Sequence, residues 1–143
     1  MAVRRALPRD LKHVLDYMEE QHAKSHLAHI KFDRPSTARM INHVLLSQDH
    51  CPMIAHNDNK EVVGLLIGTL EPYFFNQRKY YATDLLFISQ GQGPQLWRAF
   101  RDWAFATKAV EIIMGISSGQ ERAGQLLEVL GMENTGGMYV LRR

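Results

Sequence analysis

The residues best suited to chemistry lie between Asp84 and Leu96, where the apolar run Leu85-Leu86-Phe87-Ile88 gives way to Ser89-Gln90-Gly91-Gln92-Gly93-Pro94-Gln95. The apolar run reads as a strand buried on both faces and therefore central, and Pro94 reads as a first-turn residue of a helix. The glycines then fall in a strand-to-helix corner. Gly91 and Gly93 let the backbone approach a ligand closely, and the unpaired amides at a helix start, reinforced by the helix dipole, hold a pyrophosphate or a similar anion. Such a corner more often serves only to turn the chain, so the surrounding elements decide between the two readings.

A second grouping is His22, His26 and His29, drawn from seven histidines in the chain. Spacings of four and three on a helix suggest a metal site, but no Cys or carboxylate completes a recognised ligand pattern. We read these as surface or rim histidines and expect no metal. The lone Cys51 has no partner for an internal disulfide and reads as a buried, inert thiol.

The elements that must position these residues follow from periodicity. Ala2 to Ala6 is a short strand, and Pro8-Arg9-Asp10 starts a helix with Asp10 as its cap; Leu11, Val14, Leu15, Met18 and His22 share its inner face. After a loop around His29 to Arg34, Pro35-Ser36 opens a second helix with Ala38, Ile41, Val44 and Leu45 inward, ending near Gln48. Cys51 to His56 and Glu61 to Leu70 flank the polar turn Asn57 to Lys60 as a hairpin, Glu71 to Lys79 is aromatic and irregular, and Tyr80 to Ser89 is the next strand. The helix from Pro94 to Lys108 buries Leu96, Phe100, Trp103 and Ala104. Val110 to Ile116 is a strand, Gln120 to Leu130 a helix stopped by Gly131, and Tyr139 to Leu141 the centre of a last strand. The order predicts a mixed α/β domain with one parallel pairing and antiparallel hairpins.

Composition sets the frame. A chain of 143 residues, 45% hydrophobic and 22% charged, fits one globular domain spanning 1–143. No apolar run approaches the roughly 18 residues of a membrane span, and Met1 to Asp10 lacks the apolar stretch of a signal peptide, so a cytoplasmic location is expected. A net charge of +2 with scattered basic residues lacks the dense stripe that nucleic acid binding favours.

Taken in order, several stretches resemble the GNAT (Gcn5-related) N-acetyltransferase superfamily, in particular the small GNAT-like proteins of bacterial and tailed-phage genomes. They are Leu7-Pro8-Arg9-Asp10-Leu11, Val63-Gly64-Leu65-Leu66-Ile67-Gly68, Ala82-Thr83-Asp84-Leu85-Leu86-Phe87, Leu96 to Ala104, Ile112 to Ser117, Leu126 to Met132, and Gly137-Met138-Tyr139. The resemblance implies a GNAT fold: a central mixed, mostly antiparallel sheet with a splayed strand pair, flanked by about four helices. It also implies acetyl-CoA as cosubstrate, a small-molecule or protein amine as acceptor, attack in a ternary complex without an acyl-enzyme, and a homodimer as one assembly. For a phage-encoded protein the compartment would be the host cytoplasm.

The family's pyrophosphate loop has the pattern Gln/Arg-x-x-Gly-x-Gly/Ala. Two registers fit here, one matching Gln90 and Gly93 but placing Gln95 at the final small position, the other matching Gly91 and Gly93 but placing Ile88 first. Both use Ser89, Gln90, Gly91, Gln92, Gly93 and Gln95, while Leu85, Phe87 and Ile88 lend backbone groups to the pantetheine arm and Ser117 lies near it. For proton transfer, Asp84 and Glu71 are base candidates and Tyr139 an acid candidate, since Leu127 stands where many members carry Tyr. Tyr73-Phe74-Phe75 with Tyr80 and Tyr81 fall at the acceptor groove or a dimer surface. Leu127 and the departing loop equally suit a second class, a catalytically weakened GNAT-fold binding or virion-associated module.

Overall fold

Two short connections fold the middle of the chain into an antiparallel meander. At the first, Lys60 adopts a left-handed conformation with φ 63. Asn57 closes this turn, its N–H donating to the Glu61 carbonyl at 3.0 Å and its side-chain oxygen accepting the Glu61 N–H at 3.0 Å. At the second, Phe74 and Phe75 alone reverse the chain. The structure, a computed structural model, describes residues 2–115, 121–137 and 139–143. These form two compact units, Met1–Ile113 and Met114–Arg143, treated separately below.

In the first unit the elements are β1 (Ala2–Arg5), α1 (Leu11–Ala23), α2 (Arg34–Leu46), β2 (His50–His56), β3 (Val62–Tyr73), β4 (Asn76–Ser89), α3 (Gly93–Ala106) and β5 (Ala109–Ile113). They make a five-stranded sheet in the order β1-β2-β3-β4-β5. Pairings from β1 to β4 are antiparallel; β4 and β5 run parallel, which requires the crossover that α3 supplies.

Alternation along the strands sends successive side chains to opposite faces. Ile54, Leu65 and Ile67 pack with Val14, Leu15 and Tyr17 of α1 and Ile41, Val44 and Leu45 of α2 in one buried cluster. Each such fully buried aliphatic side chain contributes about 1.5–3 kcal/mol. The other face is built for close approach by α3. A Cβ on Gly64 would meet Leu96 Cδ1 at 2.9 Å, and one on Gly68 would meet Phe100 Cε2 at 2.2 Å, so the absence of side chains at both positions seats the helix.

Several expectations are corrected. Asp10 does not cap α1. A 3-10 turn at Pro8–Asp10 runs straight into α1, and the Asp10 carboxylate turns back to accept the Leu7 N–H (2.7 Å) and the forked guanidinium of Arg4 (2.8 and 2.9 Å). The cap function falls instead at α2, where Asp33 accepts the Ser36 N–H at 3.1 Å. The segment Glu71 to Lys79 is not irregular: β3 runs on to Tyr73 and β4 starts at Asn76. Pro72 fits because β2 pairs with β3 only as far as Thr69, leaving no ladder partner that needs its missing N–H. The buried central strand is β3, whose residues Gly64 to Thr69 are all buried, whereas Leu85 of β4 is 53% exposed.

In the second unit α4 spans Glu121–Val129. It ends as a Schellman motif, with Gly131 at φ +97, its N–H donating to Glu128 O, and the Met132 N–H donating to Leu127 O, both at 3.0 Å. The expected strand at Tyr139 to Leu141 is absent: these residues join no ladder, and Tyr139 and Leu141 are fully exposed. Their β-prone side chains do not make a strand without a partner edge. The fifth strand ends at Ile113 rather than 116, and Ile116 to Gln120 lie outside the described residues.

Candidate active site

The site begins where two parallel strands part. β5 pairs with β4 from Tyr80↔Ala109 to Thr83↔Ile113 and no further. β4 continues through Asp84 to Ser89 with β3 on one edge, and among the described residues no strand lies along the other. At the same level Leu85 is an extra residue, because Ile67 pairs with Leu86 and Gly68 with Asp84. A bulge of this kind bends a strand and strengthens its twist, and it falls where the parallel pairing stops.

The hydrogen-bond alternation then fixes which backbone groups face the gap. The Gln90 N–H donates to Val63 O at 3.2 Å, so Ile88 and Leu86 share the β3-bonded set. Phe87 and Ser89 therefore turn their N–H and C=O groups to the open edge, ready to pair with an extended amide-bearing arm.

The open edge leads to the glycine corner. Gly91 sits at φ +106, and nothing lies within 4 Å of where its Cβ would be, so the space over the corner is clear. Gln92, 5% exposed, is the N-cap of α3, followed by Gly93 and Pro94; no acidic residue stands in the first turn to oppose an anion. Gln95 lies in that turn. Ile88 directs its side chain into the α1/α2 core and its backbone groups toward β3. Ser117 lies outside the described residues.

The base candidates separate cleanly. Asp84 pairs with Gly68 and so faces α3, whereas Glu71 shares the opposite face with Thr69 and Ile67. The Thr69 hydroxyl, 2% exposed, donates to Glu71 Oε1 at 3.1 Å. Thr69 lies directly across from Thr83, the last β4 residue before the fork, so the Glu71 carboxylate stands beside the fork apex. Tyr139 belongs to the second unit and is fully exposed. Leu127, 7% exposed on α4, lines a groove of about 570 Å³ with Met114, Met132 and Gly136 within that same unit.

Sequence reading singled out Tyr73 and Tyr81 near Glu71 but missed His50 and Glu111. His50 pairs with Thr69 in register, its Nδ1 is 2.8 Å from Ser47 Oγ, and its ring meets His43 edge-on at 5.5 Å. Burial first, then the neighbouring His43, lowers the His50 pKa. Tyr81 pairs with Glu71, and the Tyr73 hydroxyl donates to the Glu111 carboxylate of β5, which pushes the phenol up to about 12. The spacing Thr69-x-Glu71-x-Tyr73 would have revealed this face had the strand been carried past Leu70.

His22, His26 and His29 do not converge: His22 Nε2 lies 2.6 Å from Ile30 O, and no group of His, Cys, Asp and Glu suited to a metal occurs among the described residues.

The chain as a whole has counterparts of the same fold among solved structures. An aminoglycoside antibiotic 6'-N-acetyltransferase from Acinetobacter haemolyticus matches with TM-score 0.73 and 14% identity, covering 100% of this chain and 98% of that one. The fold is that of the GNAT acetyltransferases. A ribosomal-protein-alanine N-acetyltransferase from Brucella melitensis biovar Abortus shares the GNAT fold with TM-score 0.71 and 15% identity over 99% of this chain and 98% of that one. A transcriptional regulator from Bacillus halodurans matches with TM-score 0.78 and 22% identity over 99% of both chains. No family model matches the chain, and no curated protein matches it in sequence.

Proposed function

We propose that residues 1–143 act as one acyltransferase domain that moves an acetyl group from acetyl-CoA to a primary amine. The observation that carries this is the open edge of β4 running into the glycine corner at the start of α3. Phe87 and Ser89 offer backbone groups to the pantetheine arm, and the Gly91 to Gln95 segment offers amides and clear space to the pyrophosphate. When bound, acetyl-CoA supplies the acetyl group as a thioester, the amine's C–N bond forming as the C–S bond breaks.

The protein's own part is to orient and to move protons. An amine attacks only when neutral, so a base must take the ammonium proton, and Glu71, fixed by Thr69 beside the fork, is that base. Asp84 faces away from it across the sheet. With Leu127 at the usual Tyr position and Tyr139 exposed, the departing sulfur takes its proton from water.

The binding-module reading rests on Leu127 and on the corner lacking an Arg. The two readings separate in one experiment. Acetyl-CoA at about 100 times its Kd should stabilise the folded chain by about 2.7 kcal/mol, read as a thermal shift, and an amine panel should yield acetylated product by mass spectrometry. Failure of millimolar acetyl-CoA to shift the melt would sink the enzymatic reading. Binding without any product would favour the module.

A further inference from the structure

Several carboxylates in this structure meet a Lys or Arg: Asp10 meets Arg4, Asp16 meets Lys12 and Arg34, Glu19 meets Arg34, Glu20 meets Lys24, and Asp102 meets Arg101. Glu71 and Glu111 differ. Their hydrogen-bond partners are hydroxyls, Thr69 for one and Tyr73 for the other; neither forms an ion pair with a Lys or Arg among the described residues, and the basic group near Glu71 is the half-buried His50 imidazole. A hydroxyl engages one oxygen and leaves the negative charge unneutralised.

Both side chains stand on the same face of the sheet. Glu71 shares the face of Thr69, which pairs with Thr83; Thr83 pairs with Ile113, two residues from Glu111. Between them lies Tyr81, the register partner of Glu71, with the Tyr73 ring 5.0 Å from its own. Two strand spacings separate β3 from β5, putting the two glutamates about 10 Å apart at the backbone. A tyrosine pair flanked by carboxylates that no Lys or Arg neutralises attracts positive charge twice over, through the ring faces and through the charges.

We infer that this face recognises an aliphatic acceptor carrying two cationic nitrogens, one brought to Glu71 beside the fork and the other held at Glu111. The inference rests on the acetyltransferase reading for the fate of the first nitrogen, but the recognition of the second does not depend on turnover. The transferred acetyl forms an amide on the nitrogen at Glu71, whose ammonium proton passes to that carboxylate. The nitrogen at Glu111 stays protonated throughout. Such a substrate is a terminal diamine or polyamine.

The test compares cadaverine, with an amine at each end, with n-pentylamine, which has the same chain and one amine. Turnover of acetyl-CoA should favour cadaverine by about tenfold in kcat/KM, the size of one exposed ion pair together with a ring face. Glu111→Gln, which keeps an acceptor for Tyr73, should bring that ratio close to one, mainly by raising the KM for cadaverine. Calorimetric titration of cadaverine into the protein with excess CoA should show a matching loss of affinity in the variant. Equal use of the two amines, or a preference that survives Glu111→Gln, overturns the inference while leaving the acetyltransferase standing. Glu111-dependent cadaverine binding with no turnover keeps the dication site and removes the acetyl transfer. Neither binding nor turnover removes both.

Discussion

Replacing Gly68 with Ala tests how α3 is held against the sheet. The new Cβ would stand 2.2 Å from Cε2 and 2.6 Å from Cδ2 of Phe100. Carbon atoms in contact keep about 3.5–4.0 Å apart, so ring or helix must retreat by roughly 1.5 Å. Phe100 is 0% exposed and stacks on Trp103 at 6.1 Å, which leaves its ring no free space to swing into. Overpacking of this kind costs about 1–3 kcal/mol, and a rigid ring as the obstacle puts Gly68→Ala at the upper end. At about 2–4 °C per kcal/mol, the melting temperature should fall by roughly 6–12 °C. Gly64→Ala should cost about 1 kcal/mol, because its nearest obstacle is the far end of the flexible Leu96 side chain at 2.9 Å. Urea unfolding of both variants, and of Gly68→Ala combined with Phe100→Leu, supplies the measurement. The paired variant should lose at least about 1 kcal/mol less than the sum of its parts. A Gly68→Ala protein within about 0.5 kcal/mol of the parent, or strict additivity with Phe100→Leu, would refute the seating described here.

Three further outcomes are expected. The Asp10 carboxyl is held down at about 2, first by the Arg4 guanidinium and also by the Leu7 amide. Because the folded value is depressed, the stabilisation of about 2 kcal/mol is present above pH about 4 and is lost as pH falls toward 2. Asp10→Asn should therefore be less stable at pH 7 and approach the parent near pH 2, and parallel stability curves would contradict this. Gly91→Ala forces a side chain into φ +106 in open space, so it should cost about 1 kcal/mol of stability without a clash and should weaken the acetyl-CoA thermal shift; an undiminished shift would show that the corner does not touch the cofactor. Cys51 is 1% exposed and its thiol is pushed up to about 12 by burial, so iodoacetamide at pH 8 should label it only after denaturation. Rapid labelling of the native protein would show that the β2 to α3 packing opens readily.

The strength of each local signal decided what could be read from the chain. Ile41, Val44 and Leu45 mark α2 by helical spacing, and Asn57 to Lys60 mark a turn by composition, because both patterns are local and unopposed. Gly91 to Pro94 likewise announced a corner that the structure contains. The hairpin at Phe74-Phe75 was hidden, since two bulky aromatics lack turn chemistry and Pro72 interrupts a strand whose tolerance of it depends on where β2 ends. That error concealed the face shared by Glu71, Tyr81 and Glu111. Asp10 misled for a related reason: a capping residue and an ion-pair residue look alike until Arg4 is brought across from β1. Leu85 to Ile88 suggested a strand buried on both faces, but hydropathy does not report that one edge of a strand lacks a neighbour.

β3 carries Gly64 and Gly68 on one side and Thr69 and Glu71 on the other. The strand therefore works as a ruler between the helix that anchors the corner and the carboxylate at the fork. Many residues along it can change type without disturbing that spacing. Inserting or deleting a single residue between Gly64 and Glu71 would instead turn the carboxylate through the sheet to the wrong side. Tolerance in this stretch is thus governed by chain length more than by residue identity.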